Sequence, residues 1–194
     1  MNDVREKKKI RVASCSLAGC FGCHMSFLDI DERVVELLDQ VESCRSPLND
    51  IKELQQADVG IVEGALCNED NVRVLQQFRE NCDILVGVGA CALTGGLPAM
   101  RNHYGLAACL KEAYLDASGV VNPGIPSDPE LPRLLNRVRP IQEVVLVDYC
   151  LPGCPPLLVP ISVRVPSRPD GSDGIRASSS APPRSDGLQR STCR

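Results

Sequence analysis

Eleven of the 194 residues are cysteine, and four of them stand where thiolates could hold metal. Cys20 and Cys23 form a CFGC motif in a Gly-rich loop, Cys91 follows Gly89-Ala90, and Cys154 follows Gly153. Glycine lets backbone turn tightly around a bulky inorganic core and leaves amides near the sulfurs. Four cysteines suit either zinc or an iron–sulfur cube. Structural zinc commonly uses two close pairs, whereas here one pair is joined by two single residues from distant segments. That pattern favours one [4Fe-4S] cluster held by Cys20, Cys23, Cys91 and Cys154. Zinc, and thiols that bind no metal, are the alternatives.

A second spacing competes with the first. Cys15, Cys20 and Cys23 match the plant-type ferredoxin pattern for a two-iron cluster, but Cys15 ends an apolar run and is expected in the core. Cys44, Cys67, Cys82, Cys109 and Cys150 show no ligand spacing and are expected to be buried as small hydrophobes. Cys193 is incidental. A disulfide framework belongs to small secreted domains with little core, and the charged start MNDVREKKKIR has no apolar signal segment. A cytoplasmic protein is expected.

The elements that must position these thiols follow from periodicity. Residues 10–15, 41–44, 58–63, 83–89 and 141–149 are expected strands. Residues 25–38, 48–55, 69–81 and 100–115 are expected helices. Residues 118–132, with Pro123, Pro126, Pro129 and Pro132, are a loop. Apolar strands alternating with helices predict an α/β fold: a flavodoxin-like, doubly wound parallel sheet with helices on both faces. Such sheets bind ligands at the carboxyl ends of their strands, where all four cysteines would lie. Glu63 ends a strand and points to the same rim. It is either a solvated or structural carboxylate or a group beside a metal site that orients or relays protons. His24 is expected at a helix start or an interface, and His103 has no assigned role.

Hydrophobic residues are 43% of the chain, aromatics 3%, Trp is absent, and the formal net charge is −4. A net acidic chain is a poor nucleic-acid ligand, and no apolar run approaches the roughly 18 residues of a membrane span. Composition divides the chain into a domain over residues 9–156 and a tail over 157–194. The tail has six Arg, three Asp and no Lys, Glu or His. It is rich in Ser, Pro and Gly and is expected to be disordered. Arg without Lys in such a context is what a GC-rich gene yields out of frame, so an anomalous terminus is a further expectation.

Five segments carry a family resemblance: GCFGCHMSFLDIDER, VEGA, FRENCDILVGVGACA, GGLPAMRN and DYCLPGCPP. Together they resemble the small subunit of nickel–iron hydrogenases, above all of the soluble NAD-reducing type, over about residues 9 to 156. The resemblance implies a flavodoxin-like domain with one four-iron cluster, proximal to a nickel–iron centre on a large partner subunit. It implies electron relay between that subunit and diaphorase subunits bearing further iron–sulfur clusters, FMN and NAD. The cluster subunit of respiratory complex I shares the fold but places two adjacent cysteines in the first loop, where this chain has CFGC. A flavodoxin-like FMN carrier would need a Ser/Thr-rich phosphate loop, and SLAGCFGC has a single Ser. A zinc-stabilised interaction module is the non-redox rival.

Overall fold

The computed structural model describes residues 9–49 and 51–156. Its centre is a five-stranded sheet built from β1 (Ile10–Ser16), β2 (Val41–Arg45), β3 (Ala57–Glu63), β5 (Cys82–Val88) and β7 (Tyr149–Leu151), while β4 (Leu66–Asn68) lies outside it. The order is β2-β1-β3-β5-β7, and every neighbouring pair is parallel. Renumbered within the sheet this is 2-1-3-4-5, the flavodoxin-like order, whose switch point falls between the first and third strands. The sequence expectation of an α/β parallel sheet holds.

The core is aliphatic, as the scarcity of aromatics requires. Val62, Leu66, Leu75, Phe78, Leu85, Val88 and Ile141 are buried. Each such side chain contributes roughly 1.5–3 kcal/mol on leaving water. The best-formed helix is α3 (Glu69–Asn81), which follows the expected bounds. Its start is chemically specified. The Asn68 side chain accepts a hydrogen bond from the Asn71 amide (2.8 Å), and the Asn71 side chain accepts one from the Cys67 amide (3.0 Å). Glu69 and Asp70 in the first turn and Arg79 in the last suit the helix dipole. Leu75 and Phe78 are its buried face.

Four expected elements differ. The helix over residues 25–38 is two short ones, α1 (Gly22–Leu28) and α2 (Arg33–Leu38), separated at Asp31, whose φ is 54°. No residue of α2 is buried, so its apolar periodicity has no core to act on. The helix over 48–55 is absent among the described residues. The Leu48 amide donates to the Ser46 hydroxyl and the Ile51 amide to the Asn49 side chain, so local side-chain bonds turn the chain instead. The helix over 100–115 is a 3-10 segment (Leu97–His103), then α5 (Leu106–Lys111), then a π turn (Glu112–Asp116), broken at Gly105 with φ 78°.

The last strand is the largest difference. Residues 141–149 are not a strand: Ile141–Glu143 is a 3-10 turn, and only Tyr149–Leu151 joins the sheet. Ile141 and Val147 enter the core through turns, so the β-branched run records burial rather than extension. Two strands escaped sequence reading: β4 pairs antiparallel with β6 (Leu134–Arg139). Among the described residues no helix is long and apolar enough to cross a membrane. The expected tail, residues 157–194, lies outside the described residues.

Candidate metal centre

Strand register sets the site. Ser16 pairs with Glu63, Glu63 with Val88, and Val88 with Leu151. These four residues form one row across the carboxyl end of the sheet. Each expected ligand leaves this row within a few residues: Cys20 and Cys23 after β1, Cys91 after β5, and Cys154 after β7. Cys23 lies in α1, and Cys91 lies in α4 (Gly89–Thr94). The Ala90 amide donates to the Gly153 carbonyl at 2.7 Å, tying the Cys91 segment to the Cys154 segment. Cys154 precedes a cis proline bond.

The glycines beside the cysteines make room for sulfur. A Cβ on Gly89, whose φ is 84°, would stand 2.3 Å from the Cys23 sulfur. One on Gly96 would stand 2.8 Å from the Cys91 sulfur, and one on Gly22 3.2 Å from the Cys20 sulfur. The loop carrying Gly96 is itself braced. Arg101 donates to the Leu135 carbonyl at 2.7 Å, and Asn102 exchanges two hydrogen bonds with the Val138 backbone.

Two of the four thiols, Cys23 and Cys91, feel their neighbours. Burial pushes the Cys23 thiol up to about 12, aided by the charge and hydrogen bond of Glu63 and then by Cys91 and Cys20. Burial also raises Cys91, the Leu97 amide hydrogen bond opposes it, and Cys154, Cys20 and Glu63 raise it further. Cys23 and Cys91 so placed resist ionising in the absence of positive charge, which metal coordination would supply. Cys20 and Cys154 are exposed, and Cys23 and Cys91 are half-buried. Among the described residues no three His, Cys, Asp or Glu side chains converge closely enough to hold a single metal ion. Cys15 and Cys82 are core residues as expected, whereas Cys44, Cys67, Cys109 and Cys150 are only half-buried.

Glu63 is no solvated carboxylate: it is 3% exposed. The Ser16 hydroxyl donates to its Oε1 at 2.7 Å, and the His24 amide donates to its Oε2 at 3.0 Å. The His24 Nδ1 lies 3.2 Å from Oε1 but out of line for a hydrogen bond. Burial pushes the carboxyl up, but His24 and Ser16 together outweigh it and hold it below the usual range.

His24 is the residue that sequence reading undervalued. It does sit at a helix start, but it is 1% exposed and belongs to no surface of this chain. Its ring stacks on Phe21 with centroids 4.8 Å apart and meets Phe27 edge-on. Two of the chain's three phenylalanines flank this one histidine, a signal that was present in the sequence.

Comparison with known proteins agrees with this geometry. Residues 20–161 match the family model of the NADH ubiquinone oxidoreductase, 20 Kd subunit. The delta subunit of the NAD-reducing hydrogenase HoxS of Cupriavidus necator is 50% identical over 153 residues, spanning 76% of this chain and 73% of that one. A subunit of the F420-non-reducing hydrogenase of Methanococcus voltae is 37% identical over 150 residues, spanning 76% of this chain and 52% of that one. Among solved structures, an NAD+-reducing [NiFe]-hydrogenase in the H2-reduced state superposes with a TM-score of 0.74 at 51% identity, covering 76% of this chain and 84% of that one. The chain therefore belongs to the NADH ubiquinone oxidoreductase 20 Kd subunit family and, within it, is a hydrogenase subunit of the NAD-reducing [NiFe] kind.

Proposed function

We propose that this chain is the electron-relay small subunit of an NAD-linked nickel–iron hydrogenase and holds one proximal [4Fe-4S] cluster through Cys20, Cys23, Cys91 and Cys154. The observation that carries the reading is the in-register row Ser16, Glu63, Val88 and Leu151, from which the three segments bearing the four cysteines leave the sheet. The sequence pattern supports a cube over zinc: one close pair joined by two single cysteines from distant segments, where structural zinc commonly takes two close pairs.

When bound, such a cluster supplies one-electron redox chemistry. The chain's own residues supply the rest. The four thiolates fix the position, the Leu97 amide donates to the Cys91 sulfur, and Gly89 and Gly96 admit the sulfurs to the rim. The nickel–iron centre belongs to a large partner subunit. Further iron–sulfur clusters, FMN and NAD belong to diaphorase partner subunits, and the assembly works in the cytoplasm, where NAD is reduced. The match to the complex I family supports a second reading, a cluster subunit of a quinone-linked oxidoreductase. Half-identity with a NAD-reducing hydrogenase subunit favours the first.

The test is composition and spectroscopy of anaerobically purified complex. We expect about four irons and four labile sulfides per chain, as one cubane requires, and no zinc. Serine at any one of the four cysteines should remove the reduced-cluster EPR signal, while Cys109→Ser should leave iron content unchanged. Full iron and an unaltered signal in Cys91→Ser would overturn the ligand set.

A further inference from the structure

The loop beside Cys91 has little to hold it from within. The helix α4 ends at Gly95, whose amide donates to the Cys91 carbonyl at 3.0 Å. The chain then turns back through Gly95 and Gly96, both with positive φ. A Cβ on Gly96 would stand 2.9 Å from the Cys91 Cα and amide nitrogen as well as 2.8 Å from its sulfur, so this turn lies directly against the thiol. Two adjacent glycines impose little conformation of their own. The 3-10 segment that follows, Leu97–His103, buries no residue, and helices of this kind are weak in isolation.

What fixes the loop is β6, through side chains. Asn102 Nδ2 donates to the Val138 carbonyl at 2.9 Å, and the Val138 amide donates to Asn102 Oδ1 at 2.8 Å. That is the two-bond exchange of a hydrogen-bonded pair in an antiparallel ladder, made by a side chain in place of a strand. Val138 is buried, so its backbone groups have no water to turn to. Beside this pair, Arg101 Nη2 donates to the Leu135 carbonyl at 2.7 Å. Just past β6, the Gln142 side chain donates to the Leu93 carbonyl in α4. β6 pairs with β4 and not with the central sheet, so the parallel register that delivers Cys91 does not by itself fix the turn against it.

We propose that Asn102 is a positioning residue: docked on Val138, and seconded by Arg101 on Leu135, it holds the Gly95–Gly96 turn against the Cys91 sulfur and so closes that side of the cluster rim. Asparagine suits the task because one side chain presents both a donor and an acceptor, where aspartate presents acceptors alone. Groups that orient a ligand from outside govern metal retention and the electronic surroundings of the site. The inference rests on the four-cysteine cluster reading and adds to it the residue that keeps one ligand in place.

The experiment measures the EPR spectrum of the reduced cluster in the anaerobic complex and the rate at which the complex loses iron to a chelator. Asn102→Ala should alter the spectrum and speed iron loss about tenfold, the scale on which such supporting partners act. Asn102→Asp keeps the acceptor for the Val138 amide and loses the donor, so it should fall between wild type and Asn102→Ala. Arg101→Ala should give a smaller change in the same direction. Leu75→Ala is the control: it weakens the core from α3, outside the loop, and should lower the thermal midpoint while leaving the spectrum as in wild type. A wild-type spectrum and release rate in iron-loaded Asn102→Ala overturns the inference. Where Asn102→Ala does not assemble, the same result in both Asn102→Asp and Arg101→Ala overturns it. So does an equal spectral change in Leu75→Ala, which would reduce Asn102 to a contributor to general stability. Iron-free wild-type complex overturns the cluster reading, and this inference with it, so the two failures are told apart by the wild type alone.

Discussion

At the scale of single residues, the cysteines divide by what surrounds each sulfur. Cys15 and Cys82 are core thiols, and burial raises both, Cys82 to about 11 from an ordinary value of 9.0. A raised acid is protonated in the fold when the unfolded chain has already lost its proton. Its contribution to stability is therefore present below about pH 9 and lost as the pH rises toward about 11. Urea midpoints measured from pH 8 to 11 should fall over that window, and Cys82→Ala should flatten the fall. Neutral-pH alkylation of native protein should spare both positions, because the thiolate is the reacting form. Gly89 makes a different point. Alanine there meets both a left-handed backbone, costing about 1–3 kcal/mol, and the Cys23 sulfur at 2.3 Å. Gly89→Ala should purify with little iron, and normal iron content would show that the Cys23 loop can move aside.

Among the elements, β7 is the weakest strand that the site needs. It is three residues long and delivers Cys154. Asp148, just before it, compensates for its length. The Asp148 amide donates to the Leu85 carbonyl at 2.9 Å, and its carboxylate accepts from the Leu85 amide at 2.7 Å and from Arg79 at 2.6 Å. Arg79 in turn donates to the Cys82, Asp83 and Leu146 carbonyls. One carboxylate and one guanidinium thus join α3, β5 and the approach to β7. Asp148→Ala should cost about 1–3 kcal/mol, the penalty for leaving such donors without their acceptor. A lower urea midpoint at unchanged slope is the expected result. Leu75→Ala on the buried face of α3 should cost about 2–5 kcal/mol by leaving a cavity, without changing which residues bind metal.

For the whole molecule, the surface around the proposed centre is unusually apolar. Leu97 is 73% exposed, Met100 56% and Tyr104 75%, all in or beside the loop whose Gly96 abuts Cys91. Contiguous exposed apolar side chains mark interaction surfaces, which agrees with a subunit whose proposed large partner covers the cluster rim. Leu97→Glu combined with Met100→Glu should reduce recovery of the large subunit in affinity purification several-fold while leaving the thermal midpoint of the isolated chain within about 2 °C. Undiminished recovery would move the docking face elsewhere.

Much of the site was legible from residue types and spacing, and much of the fold from period. The placing of Cys20, Cys23 and Cys91 just past strand ends was legible, because the glycines and apolar runs beside them are local features. The strands β1, β2, β3 and β5 and the helix α3 are likewise local: their apolar patterns, and for α3 the Asn68 cap, are written within a few residues. Other features depend on partners distant in the chain. Residues 141–149 have strand composition, yet Ile141 and Val147 are turned into the core by packing, and Asp148 replaces ladder bonds that a longer strand would make. The pairing of β4 with β6 joins segments more than sixty residues apart and leaves no periodic trace in either. His24 and Glu63 are separated by 39 residues, and neither type announces a buried contact between them. Only the parallel register of β1 and β3 brings them together beside Cys23, because burial is a property of the assembled sheet and not of any segment.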